Sequence, residues 1–216
     1  MSEVVCTWRR PQKDLDATAH EAASIFEALQ QVHPTFHEWF HKGYSRAEAN
    51  RIFDTSVDAL RAEVEKGQIG SPKLGCSIVA WSPAKPTRSM RLKLNTAPEW
   101  ITCNTVDLRL QSALPDGPLP FEEDVCLQLL ENLIDTIRPD RAIWTCRAWN
   151  SSLSSPVLEK SAGWLTYVSH PFDTEQLPQS ATHRPLGDGT IIVAAEAPEL
   201  VTVEDLEVIR TATAPA

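Results

Sequence analysis

The chain has 216 residues, 42% of them apolar, and a formal net charge of −9. That is enough apolar sequence to bury one sizeable core. Its longest apolar runs, near residues 78–81 and 191–195, fall far short of the ~20 residues a membrane helix needs. The excess acid also disfavours a nucleic-acid surface, since phosphate binding calls for a basic face. The charge is uneven: residues 1–110 hold 14 Lys and Arg against 13 Asp and Glu, whereas residues 111–216 hold 6 against 16. An acidic second half suits a basic protein partner. Residues 1–10 lack the apolar stretch of a secretion signal. The cysteines Cys6, Cys76, Cys103, Cys126 and Cys146 are odd in number, scattered, and form no C-x-x-C. They read as buried thiols, not as a disulfide framework or zinc ribbon. The expectation is a cytoplasmic protein of one domain spanning residues 1–216, with residues 211–216 a frayed tail.

In chain order, residues 4–9 alternate and favour a strand. Asp14 can cap a long helix whose apolar side is Ala19, Ala22, Ala23, Phe26, Leu29 and Val32, closed by His33-Pro34. A short helical piece with Phe36, Trp39 and Phe40 is expected to end at Gly43, followed by a brief helix from the capping box Ser45-Arg46-Ala47-Glu48 to near Phe53. Thr55 or Ser56 opens another, with Val57, Leu60 and Val64 on one face and Gly67 after its end. Residues 75–81, 89–95 and 105–110 then read as strands separated by Pro-bearing turns. Glu122-Glu123-Asp124 starts an amphipathic helix through Ile137, stopped by Pro139, and residues 141–147 form a further strand. Residues 148–155 are polar and loop-like. Residues 163–169 and 189–195 are strands flanking a helical turn at 173–177, and Thr202 caps a last helix. Meander strands with grouped helices predict an α+β fold, a mainly antiparallel or mixed sheet with helices segregated to one face.

One string suggests chemistry. His37-Glu38-Trp39-Phe40-His41 matches H-E-x-x-H, which on a helix places two imidazoles on one face for a zinc ion and a carboxylate to polarise its water. A zinc-dependent hydrolase with His37 and His41 as ligands and Glu38 as base is therefore the competing reading. Against it, Pro34 and Gly43 leave only a short helix, and Tyr44 and Ala47 occupy the places of the glycine and last histidine of the extended motif. Trp39 and Phe40 suit core anchoring. No nucleophile elbow, P-loop or dinucleotide fingerprint occurs, so neither a catalytic residue nor a cofactor is expected. Trp81, Trp100 and Trp149 lie beside turns or loops, where aromatic side chains can anchor a partner. Glu122, Glu123 and Asp124 form an acidic cluster that suits a helix N-terminus and also a basic partner.

The order of several features resembles the immunity 52 family of polymorphic toxin systems. They are His33-Pro34, Trp39, Gly43 with Ala47 or Ala49, Arg138-Pro139 before a strand with Trp144, then Gly163-Trp164-Leu165-Thr166-Tyr167-Val168, Leu177-Pro178, and Gly189-Thr190-Ile191-Ile192-Val193 before an acidic helix. The resemblance runs from about Val4 to Ile209. It implies an α+β cytoplasmic antidote, without catalytic residues, that neutralises a nuclease-type toxin often delivered by type VI secretion. It assigns no contact residues. Gly163 and Gly189 are expected to make turns before strands, and Trp39 and Trp164 to fill the core.

Overall fold

Where apolar residues alternate along a strand they give it one apolar side, and pairing in register merges those sides into a surface that amphipathic helices can cover. The computed structural model describes residues 2–9, 14–42, 51–70, 76–82, 88–94, 103–110, 121–146, 149 and 161–215. Among these, the strands are β1 (Ser2–Trp8), β2 (Phe40–His41), β3 (Cys76–Ser82), β4 (Arg88–Leu94), β5 (Asn104–Leu110), β6 (Arg141–Cys146), β7 (Leu165–Val168), β8 (Thr182–Leu186) and β9 (Gly189–Val193). The helices are α1 (Leu15–Val32), α2 (Val57–Gly70), α3 (Glu123–Ile137) and α4 (Val203–Ala212). All nine strands join one sheet in the order β2-β3-β4-β5-β1-β6-β7-β9-β8, and every pairing is antiparallel. The α+β class holds.

Register decides which residues face the helices. Val4 lies opposite Leu108 and Trp144, and Cys6 opposite Val106 and Ala142. All six are buried in the main core, with Ala22, Phe26, Leu29, Leu60, Leu130 and Leu133 from α1, α2 and α3. The alternate row carries Glu3, Val5 and Thr7 on the other face, opposite Arg109, Asp107 and Thr105.

Helix α1 follows from its sequence. Ala19, Ala22, Ile25, Phe26 and Leu29 are buried at helical spacing, and Asp14 Oδ1 accepts the Ala17 N–H at 2.7 Å. Removing that cap with Asp14→Ala is expected to cost ~1 kcal/mol. Thermal unfolding followed by circular dichroism should show it as a fall of roughly 2–4 °C.

Four differences from expectation have physical causes. The short helix through Trp39 and Phe40 does not form. Pro34 opens a single 3-10 turn (Pro34–Phe36), and Phe40 and His41 then extend to pair with Trp81 and Ala80. Phe36 and Trp39 still enter the core, where Trp39 meets Phe26 edge-on at 5.4 Å. Of the next expected helix, residues 43–50 lie outside the described residues, while Ile52 bridges Phe40 and the Phe53 N–H donates to Trp39 O, so residues 52–53 are not helical. Gly67 does not end α2. It lies inside the helix, where a Cβ would come within 2.9 Å of Cys76 Sγ, so its smallness lets α2 approach β3. Finally, β8 pairs with β9 although its sequence, Thr-His-Arg-Pro-Leu, carries no apolar alternation. Its residues from Thr182 to Pro185 are all exposed at the sheet edge, where a proline is tolerated.

The end of the chain is anchored. Arg141 is 4% exposed. Its Nε donates to Ser161 O at 2.7 Å, Nη1 to Thr213 O at 3.0 Å and Nη2 to Thr213 Oγ1 at 2.8 Å. Thr213, placed by sequence in a frayed tail, is fully buried.

Candidate partner-binding surface

The sheet face opposite α1, α2 and α3 carries an aromatic row at its β2 edge. Antiparallel pairing aligns Ile52 with Phe40 and Phe40 with Trp81, and directly opposed residues share a face. Phe40 and Trp81 are half-buried, with ring centroids 5.9 Å apart, and Ile52 is 71% exposed. The Trp81 indole N–H donates to His41 O at 2.8 Å. That bond fixes the ring while leaving part of it open to solvent. Further along the same face, Arg109 on β5 is exposed and bonded to Asp107 at 3.1 Å and Glu3 at 3.0 Å. The hydrogen bond to Asp107 raises the Arg109 pKa, with Glu3 adding a smaller charge effect. Two aromatic side chains, one fixed by a hydrogen bond, beside an exposed aliphatic one make a compact apolar patch of the kind that can anchor a protein partner.

Trp81 is thus part of a grouped surface. Trp149 lies three residues beyond β6 and packs half-buried against the core. Four strand steps separate β3 from β6, ~19 Å at the usual spacing, so the two tryptophans belong to different regions of the sheet. Trp100 lies outside the described residues. Glu122, Glu123 and Asp124 are exposed at the start of α3. Asp124 Oδ1 accepts the Val125 N–H at 2.8 Å, while Glu122 occupies the cap position without a side-chain cap bond. Phe121 just before them packs on His33 at 4.8 Å and Phe36 at 5.8 Å. Ser82, next to Trp81, donates to Thr35 O at 3.5 Å. The acidic trio and Trp81 therefore sit at the same end of the molecule, with the trio on the helix side of the sheet.

Phe40 and Ile52 were not recognised from sequence as surface residues. The spacing around Phe40 points to a core-facing helix, and only the pairing with β3 reveals its direction.

The H-E-x-x-H string does not form a helical metal motif. His37 follows the 3-10 turn and its Nε2 contacts Gln30 O at 3.0 Å, whereas His41 lies in β2 with its ring 4.9 Å from Phe53. Burial, then the charge of Arg51, lower the His41 pKa. The shared helix face that the zinc reading required is absent. Among the described residues, no group of three or more His, Cys, Asp and Glu is placed to hold a metal ion. No described helix is long and apolar enough to cross a membrane.

No protein-family model matches the chain, and no curated protein matches it. Among solved structures, the fold is similar to the Pseudomonas aeruginosa T6SS protein PA0821. The TM-score is 0.56 at 12% sequence identity, and the match covers 98% of this chain and 74% of that one.

Proposed function

We propose that this chain is an immunity protein that binds and neutralises a cognate toxin of a type VI secretion system inside the cytoplasm, acting by protein–protein contact and not by turnover. The observation that carries the reading is the row Ile52–Phe40–Trp81 on the open face of the sheet, in which an exposed isoleucine adjoins two half-buried aromatic rings. Similarity in fold to a T6SS protein gives it context, as does the order of motifs shared with the immunity 52 family. The acidic second half suits a toxin with a basic, nuclease-type cleft, because opposite charge speeds encounter and discourages wrong partners.

The test is binding of the purified chain to the toxic domain encoded beside it. Neutralisation calls for a Kd on the order of nanomolar, about −12 kcal/mol. The association rate should fall as salt rises. Trp81→Ala and Ile52→Asp should each weaken binding by about tenfold or more, with the circular dichroism of both variants unchanged. Nanomolar binding that neither substitution alters would remove this surface from the account. No binding at low salt would remove the toxin reading itself.

A further inference from the structure

A second site lies at the far end of β1, away from the aromatic row. A cavity of about 290 Å³ opens between β1, the start of β6 and the end of the chain. Arg9, Arg141, Ser169 and His170 line it, together with Cys103 and Asp140. The side chain of Arg141 is nearly sealed from solvent, yet no carboxylate pairs with it among the described residues. Its three bonds all go to neutral oxygens, two of Thr213 and one of Ser161. A guanidinium has five N–H donors, two more than its three bonds to described residues use. Asp140 beside it turns Oδ2 to the backbone N–H of Arg9 at 2.6 Å. His170 Nε2 contacts Thr213 O at 3.2 Å, leaving its other ring nitrogen out of that contact.

A buried cation bonded only to neutral groups is costly, and a charged partner relieves that cost. Among the described lining residues, Arg141 therefore brings a buried guanidinium that no described carboxylate pairs, within a chain whose net charge is −9. Arginine pairs strongly with planar or tetrahedral oxyanions through charge-assisted N–H bonds. We infer that this cavity binds a small oxyanion, the phosphate or carboxylate group of a small molecule, with Arg141 as its principal cation and Arg9, Ser169 and His170 at its rim. The inference is independent of the toxin reading.

Calorimetric titration of the full chain in chloride buffer of matched ionic strength tests it, with inorganic phosphate as one probe and succinate as the other. Saturable binding of either, with a Kd of about 1 mM or tighter, is expected, and the tighter probe identifies the source of the oxyanion. Arg141→Gln should weaken that binding by at least about tenfold. Because Arg141 also holds the end of the chain, Ser169→Tyr provides the second variant. It fills the cavity, leaves the Arg141 bonds in place, and should weaken binding to the same degree. No saturable binding of either probe, or unchanged binding in Ser169→Tyr, overturns the inference.

Discussion

Replacing Gly163 with alanine is expected to lower stability by about 3 kcal/mol or more, which for a chain of this size is a fall of roughly 6–12 °C in Tm. A Cβ at position 163 would lie 2.0 Å from Trp144 O and 2.7 Å from its carbonyl carbon. Both atoms belong to the backbone of β6, which is paired on either side with β1 and β7, so relief requires moving the centre of the sheet. Gly189 is similar, with a Cβ 2.2 Å from Val168 O and 2.7 Å from the Tyr167 hydroxyl oxygen. Neither glycine has a left-handed φ. The expectation that they serve as turn residues is therefore replaced by one of close backbone approach. Gly187 is the control: its φ is +54° and a Cβ there would touch nothing within 4 Å. Alanine at 187 should cost only ~1–2 kcal/mol, the conformational penalty alone. Denaturant melts of the three variants give the comparison. Equal losses at 163 and 187 would count against the steric account.

Alkali should remove a large part of the protein's stability between pH 9 and 11. Cys6, Cys76 and Cys126 are at most 1% exposed. Burial pushes their thiols up to about 12, 11 and 12, while unfolded thiols ionise near pH 9. A pKa raised on folding gives stability that is complete below the unfolded value and is lost as pH climbs toward the folded one. Three such thiols remove about 4 kcal/mol per pH unit above pH 9, against a total stability of ~5–15 kcal/mol for ordinary domains. Arg141 opposes them. Burial lowers its pKa to about 10, so above that pH the folded form loses its proton first and gains ~1 kcal/mol per unit. Tyr167, whose pKa is raised chiefly by burial, acts in the same direction as the thiols. Tryptophan fluorescence against pH measures the balance, and Cys126→Ala should lessen the slope by about a third. Constant stability from pH 9 to 11 would contradict it.

Sequence revealed the parts of this fold in which one physical signal dominates. The alternation in β1, β3, β4 and β5, the helical spacing and Asp14 cap of α1, and the Thr202 cap of α4 each state their structure locally. Residues settled by distant pairing were hidden. β2 has two residues, too few for any period, and exists because β3 offers it an edge. β8 is polar and carries Pro185, so only its hairpin with β9 marks it as a strand. The same limit applies to the surfaces. Trp81 was recognisable as an aromatic beside a turn, but its neighbours Phe40 and Ile52 come from other segments and required the register. The cavity at Arg141 draws on residues from 7 to 215, and nothing in the spacing of one arginine, one serine and one histidine announces it.

The central place of β1 has a consequence for how the molecule is made. Its two neighbours in the sheet are β5 and β6, which end at Leu110 and Cys146. During synthesis at ~5–20 residues per second, the first strand emerges from the ribosome with neither partner yet in existence and waits on the order of ten seconds for the second. Over that interval Val4, Cys6 and Trp8 are exposed on a strand with two unsatisfied edges. Translation speed and chaperone supply, more than final stability, should then govern how much of this protein a cell obtains in usable form.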